Sequence, residues 1–248
     1  MRLARSILGG CFFLAYGVGS LLIGGLLFPL LALFGATRAK RRLVRASWVL
    51  FVWVGRITGL FRVAVSDADR ARLAACRGRV VVANHITLID IIILTTLLPD
   101  TTGIAKAAAG RNFFYALIVK GMFLINDDPA RVLSAAADLL QAGVNLVVFP
   151  EGTRVPHDAA EHPLRRGAAQ IALRAGAPVL PVALVCDPPV LAKGQPWYEL
   201  ATRTIVWRVK VLDEIPVAAF PAGDNPRAAA RLLTARLGQA LFGARARV

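Results

Sequence analysis

The sequence predicts an α/β fold, a mostly parallel sheet flanked by helices, with an N-terminal hydrophobic helical segment that anchors it to a membrane. Three observations predict it. Residues 7–35 contain no charged side chain. From residue 62 onward, short β-branched runs alternate with helical patterns. The 248 residues carry 30 Lys and Arg against 15 Asp and Glu, and a net charge of +15 calls for an anionic partner: nucleic acid, a phospholipid surface or a phosphorylated substrate. With 56% hydrophobic and 18% charged residues, the chain is neither disordered nor of low complexity. Cys11, Cys76 and Cys186 are scattered and odd in number, which points to a reducing compartment and to neither a disulfide framework nor a zinc site.

As one helix, residues 7–35 would extend roughly 44 Å, longer than the roughly 30 Å hydrocarbon core of a bilayer. Pro29 and the pair Gly24-Gly25 bend this stretch or split it. Arg2 and Arg5 precede it, and the heavier cluster Arg38, Lys40, Arg41, Arg42 and Arg45 follows. Positive charge is retained on the cytoplasmic side, which places residue 36 onward in the cytoplasm. Basic residues on both flanks suit a re-entrant hairpin equally well. The next apolar stretch, Trp48 to Phe61, reads either as an interfacial helix at the headgroups or as a helix packed on the following domain. Arginines 38 to 45 would hold this face on anionic lipid at about 1 kcal/mol each.

Strands are expected at Arg62–Ser66, Arg79–Ala83, Phe123–Ile125, Asn145–Phe149, Val179–Val185 and Thr204–Val211. Helices are expected at Leu88–Leu98, Arg111–Gly121, Ala130–Ala142 and Gly167–Ala175. A closing helix, Pro226–Phe242, has Asn225 as its N-cap and Leu232, Leu233, Leu237 and Leu241 along one face. The organisation is thus residues 1–61 as anchor and 62–248 as the α/β domain.

Chemistry concentrates at two turns. Val80-Val81-Val82-Ala83-Asn84-His85 is a buried-type strand whose C-terminal end carries one of the three histidines, and α/β sites form at such ends. Thr87-Leu88-Ile89-Asp90 reads as a capping box with Thr87 at N-cap, so Asp90 at N3 reaches back toward His85. A carboxylate there fixes the imidazole tautomer and stabilises its cation, as an orienting acid does for a general base. The second turn, Phe149-Pro150-Glu151-Gly152-Thr153-Arg154, follows the strand at 145. Gly152 permits close backbone approach, Thr153 offers a hydroxyl, and Arg154 a forked donor for phosphate that Glu151 can orient.

The pair of turns, Asn84-His85-x4-Asp90 and Phe149 to Arg154, resembles the lysophosphatidic acid acyltransferase (PlsC-like) family of glycerolipid acyltransferases. Pro163 to Ala169 and Ala177 to Val182 look like that family's later blocks, and the likeness covers roughly residues 62 to 212. The resemblance implies that His85 deprotonates an acceptor hydroxyl with Asp90 in support, and that the hydroxyl attacks an acyl thioester. It implies that Glu151, Gly152, Thr153 and Arg154 bind the acceptor, and that Pro181 bears on catalysis or the acyl donor. No metal or cofactor is expected. The partners expected are membrane lipid and an acyl-CoA or acyl carrier protein thioester rather than nucleic acid. Because such thioesters are cytosolic, the expected location is the cytoplasmic face of the inner membrane.

One position departs from the family. Asp127 stands where the second block has an arginine, and an anion there repels phosphate. Either Arg131, Lys106 or Lys120 compensates, or the acceptor is a different hydroxylated lipid. A covalent-serine hydrolase finds no Gly-x-Ser-x-Gly among the five serines. A non-enzymatic basic binder of membrane or nucleic acid would rest on charge alone. His157, His162, Asp158 and Glu161 read as solvated loop residues rather than as a metal site.

Overall fold

A computed structural model describes residues 2–111, 116–155, 162–196, 201–221 and 225–245. Helix α1 (Arg2–Leu22) runs through a π-helical turn, Ile23–Leu27, into α2 (Phe28–Leu33). The long apolar stretch therefore bends without splitting. Pro29 lacks an N–H, and its ring would strike the carbonyl one turn back; the wider π turn ahead of it relieves that contact. After Gly35, at φ +61°, the chain folds back as α3 (Thr37–Ile57). The basic run from Arg38 to Arg45 and the apolar stretch beyond Trp48 thus belong to one helix.

This hairpin lies along the domain. A Cβ on Gly24 would collide with that of Leu117, and one on Gly121 with the ring of Phe28. Val44, Trp48, Phe51 and Gly55 form the inward stripe of α3, while Val49, Leu50, Trp53 and Ile57 stay exposed. The Trp48 region is therefore a helix packed on the following domain, with one apolar face left exposed. Two of the basic residues expected at lipid, Arg41 and Arg45, fasten the hairpin instead, and Arg5 joins them. Arg41 forks onto Asp100. Arg45 donates to the carbonyls of Thr96 (3.0 Å) and Leu98 (2.8 Å) at the C-terminal end of α5, described below. Arg5 donates to the carbonyls of Gly59, Leu60 and Ala201.

Beyond the hairpin come β1 (Phe61–Val65), α4 (Asp67–Ala75), β2 (Val80–Ala83), α5 (Asp90–Leu97), β3 (Thr101–Lys106), α6 (Ala116–Met122) and β4 (Leu124–Asn126). Then follow α7 (Pro129–Gln141), β5 (Asn145–Val148), α8 (Gly167–Ala175), β6 (Val179–Asp187), β7 (Ile205–Val211) and α9 (Pro226–Arg245). The seven strands are ordered β1-β7-β6-β2-β5-β3-β4, with only β6 and β7 antiparallel. Strands β2 and β5 are buried throughout, as central parallel strands covered on both faces must be. Two elements were not expected. Helix α4 is short and polar, started by the Ser66 hydroxyl on the Asp69 N–H. Strand β3 reads Thr-Thr-Gly-Ile-Ala-Lys, and its Gly103 lets the Phe123 ring close over it. In α9, Leu232 turns outward, 61% exposed, while Leu233, Leu237 and Leu241 are buried.

The hairpin and one face of the sheet share a core. Phe12, Phe13 and Tyr16 from α1 meet Phe51, and Phe61 joins them with ring centroids about 6 Å apart or less.

Gly24→Ala gains about 1 kcal/mol of helix propensity but overpacks a Cβ contact, at a cost of about 1–3 kcal/mol. A lowered thermal midpoint is expected in detergent. Gly19→Ala, with open space around it, is expected to hold the midpoint or raise it.

Candidate active site

Strand β2 ends at Ala83, and Asn84 carries the chain off the ladder without losing β6. Its side chain donates to the Leu184 carbonyl (2.8 Å) and accepts the Leu184 N–H (2.7 Å), standing in for a strand residue while fully buried. That leaves the His85 side chain at the C-terminal edge of the sheet, 21% exposed. The helix after it begins at Asp90, two residues later than Thr87 as N-cap would require, and Thr87 does not cap it. The reach-back of Asp90 survives that correction. Its Oδ2 accepts the N–H groups of Ile86 and Thr87, each at 2.7 Å, and lies 3.0 Å from His85 Nδ1. Its Oδ1 accepts the Thr87 hydroxyl, and Trp207 Nε1 lies 3.3 Å from both of those oxygens.

Asp90 is entirely buried, and every partner it has is a donor. Facing such an acceptor, Nδ1 of His85 carries the imidazole proton, and Nε2 keeps a lone pair for an incoming group.

The second turn wraps this histidine. The Phe149 ring stacks on the imidazole with centroids 4.2 Å apart and planes 18° off parallel. Val155 donates to the His85 carbonyl (2.8 Å), and buried Glu151 presents Oε1 to the His85 N–H at 3.4 Å. Gly152 sits at φ +66° where a Cβ would meet the Arg165 side chain, so the position requires glycine on two counts. Thr153 is half-buried beside it. Arg154, one residue from the His85 contact, places Nη1 on the carbonyls of Leu191 (2.8 Å) and Ala192 (3.0 Å). Burial pulls its pKa down while the Asp90 charge pushes it up; a guanidinium stays protonated regardless. Nε and Nη2 make no hydrogen bond among the described residues and are left for an anion.

Two residues proposed from sequence stand elsewhere. Arg131, at the start of α7 just after edge strand β4, is exposed and forms an ion pair with Asp127 (2.5 Å). It neutralises that aspartate at the sheet edge and does not reach toward His85. Pro181 lies inside the sheet opposite Val82, three residues short of His85 along β2, and is buried. His157, Asp158 and Glu161 lie outside the described residues; His162 sits with Nδ1 3.3 Å from the Pro163 carbonyl. No group of three His, Cys, Asp or Glu among the described residues is placed to hold a metal ion. Cys186 is a core thiol, pushed up to about 12 chiefly by burial.

Sequence reasoning overlooked Trp207, which is 120 residues from Thr87 and reaches it only through the strand order. It also overlooked Leu191, whose φ of +54° carried no sequence signal.

The arrangement offers a half-buried base, its orienting acid and a nearby cation, which suits attack by a hydroxyl of an anionic molecule. Comparison with known proteins agrees. Human 1-acyl-sn-glycerol-3-phosphate acyltransferase alpha is 26% identical over 223 residues, covering 84% of this chain and 75% of the human protein. The 1-acyl-sn-glycerol-3-phosphate acyltransferase of Pseudomonas aeruginosa is 25% identical over 203 residues, covering 79% and 74%. The crystal structure of the PlsC acyltransferase from Thermotoga maritima superposes with a TM-score of 0.63 across 95% of both chains, at 20% identity, and shares the fold. The acyltransferase family model matches residues 58–185, just over half of the sequence and the whole run from β1 to β6 that builds the site; this chain belongs to the acyltransferase family.

Proposed function

We propose that the protein is a membrane-associated O-acyltransferase that moves a fatty acyl group from acyl-CoA or acyl carrier protein to the free hydroxyl of a 1-acyl-glycerol-3-phosphate-like lysophospholipid. The observation that carries this reading is His85 Nδ1 held 3.0 Å from buried Asp90, with Arg154 on the adjoining turn. Nε2 takes the hydroxyl proton as the oxygen bonds to the thioester carbonyl carbon. The tetrahedral intermediate then expels the thiolate, which recovers the proton from His85 and leaves as a thiol. Asp90 stabilises the imidazolium between the two steps. Arg154 positions the acceptor through its phosphate. A covalent-serine route finds no support among the described residues: the hydroxyls of Ser20 and Ser47 donate to carbonyls of their own helices, and Ser66 caps α4.

The hairpin supports attachment to one leaflet. It packs along the domain on one side and presents Leu14, Leu22, Leu26 and Leu33 with Leu50 and Trp53 on the other, each more than half exposed. A helix whose flank is occupied by protein along its length, with Arg5 and Arg41 tying both ends down, is suited to lie in the interface rather than to cross the bilayer. Arg42 remains outward for headgroups, and Arg38 is largely exposed although Nε lies 3.4 Å from Asp100, on the cytoplasmic face of the inner membrane where acyl thioesters are found.

A second acceptor class is favoured by one observation. Asp127 is held charged by Arg131, its carboxyl pulled below the usual range mainly by their hydrogen bond. That pair stands at the sheet edge without net charge, so it adds no second cation to Arg154. A hydroxylated lipid bearing a single anionic group, held by Arg154 alone, fits it as well as lysophosphatidic acid does.

With purified protein, acyl-CoA and lysophosphatidic acid in mixed micelles, His85→Ala is expected to lower turnover by about a hundred- to ten-thousand-fold. Full activity in that variant would sink the mechanism. Arg154→Ala is expected to raise the acceptor KM by about ten- to a hundred-fold, with the donor KM unchanged, because a charge-assisted contact contributes about 1.5–3 kcal/mol. A panel of phosphate-free hydroxylated lipids in the same assay separates the two acceptor classes. Replacing Leu50 and Trp53 together by glutamate is expected to cut co-sedimentation with anionic vesicles at least about tenfold, since each apolar side chain contributes about 1.5–3 kcal/mol on burial.

A further inference from the structure

We infer that Trp207 is a positioning residue for the reaction, acting on His85 through Asp90. The inference deepens the proposed function and rests on His85 being the base. The indole belongs to β7, two strands from β2, and is fully buried. Its single N–H lies 3.3 Å from both Thr87 Oγ1 and Asp90 Oδ1.

This placement fixes a chain of donors. Thr87 Oγ1 accepts from the indole, so its own proton is turned toward Asp90 Oδ1. With Oδ1 held by these two side chains, the carboxylate cannot rotate, and Oδ2 stays directed at His85 and at the Ile86 and Thr87 N–H groups. Backbone donors alone would hold only the inner oxygen. The ring is itself held: its edge meets Phe61 with centroids 5.5 Å apart, and Phe61 packs in turn against Phe12 and Phe51 of the hairpin.

The N–H also sets how much charge the carboxylate retains. Removing it leaves more negative charge on Asp90, which binds the imidazolium more tightly. The ionisable groups facing the pair are Glu151 and Arg154 from the turn after β5 and Cys186 from β6, and α5 supplies none besides Asp90. The substitution changes none of these.

The test uses the full chain in mixed micelles with lysophosphatidic acid and acyl-CoA. Trp207→Phe keeps a ring against Phe61 without the donor. Replacing Trp207 by benzothienylalanine, which puts sulfur where the N–H stood, keeps the whole shape and decides the matter should the phenylalanine variant fold poorly. Both are expected to lower kcat about ten-fold, equivalent to about 1.4 kcal/mol, with both KM values within about two-fold of wild type. The acidic limb of the kcat/KM profile is expected to move to higher pH. Wild-type kcat with an unmoved limb in the benzothienylalanine protein overturns the inference. So does a fall in kcat with the limb unmoved, which is the signature of a packing role alone. Full activity in His85→Ala overturns it together with the mechanism, whereas an inactive His85→Ala beside wild-type Trp207 variants overturns the positioning role only.

Discussion

The site depends on one buried carboxylate being fully occupied by donors. A lone Asp at zero exposure would cost several kcal/mol in desolvation. Here the backbone at Ile86 and Thr87, a hydroxyl, an indole and an imidazole share that burden. The geometry follows from how β2 ends. Asn84 keeps the chain tied to β6 for one residue beyond the ladder, so the next three residues turn tightly enough for two N–H groups to converge on the same oxygen. A strand that simply ran on would have pointed those amides at its neighbours.

The hairpin and the site are one packed body. Phe12 and Phe51 press on Phe61, Phe61 presses edge-on against Trp207, and Trp207 meets Asp90. Close-packed interiors have low compressibility and transmit strain, and four aromatic rings in sequence are rigid. The hairpin with the exposed apolar face therefore also forms a wall behind Asp90. Arg41 and Arg45 serve the same end by fixing α3 to the exit of α5, the helix that begins with Asp90.

Much of this was legible in the sequence because the strongest signals are the most buried ones. The all-apolar strands β2 and β5 and the amphipathic α7 and α8 declare themselves by period and composition. Strand β3 did not, since Thr101, Thr102 and Gly103 look like a turn until the sheet on both sides of them is known. The His85 and Asp90 pairing was readable as a reach-back even though the helix starts at Asp90 itself. Arg131 was misplaced for a different reason. Its distance from the site is a matter of strand order, with β5 and β3 between β2 and β4, and sequence spacing carries no record of strand order. Likewise the cluster after residue 36 looked uniformly available for lipid, whereas Asp100, fifty-nine residues beyond Arg41, claims that arginine.

Arg154 closes the argument about specificity. A free guanidinium on a loop would sample many rotamers and bind an anion as a diffuse charge. Here one terminal nitrogen is held by the Leu191 and Ala192 carbonyls, which leaves a directed pair of donors rather than a mobile cation. The carbonyl of Leu191 also accepts the Leu88 N–H, from the turn that leads into α5. Leu191 reaches this double duty only at φ +54°, a conformation that costs a non-glycine residue of order 1–3 kcal/mol. Burial of its side chain to 1% exposure offsets that strain. The same backbone atom thus holds Arg154 and the turn that leads from His85 into α5 in a fixed relation, so neither moves without the other.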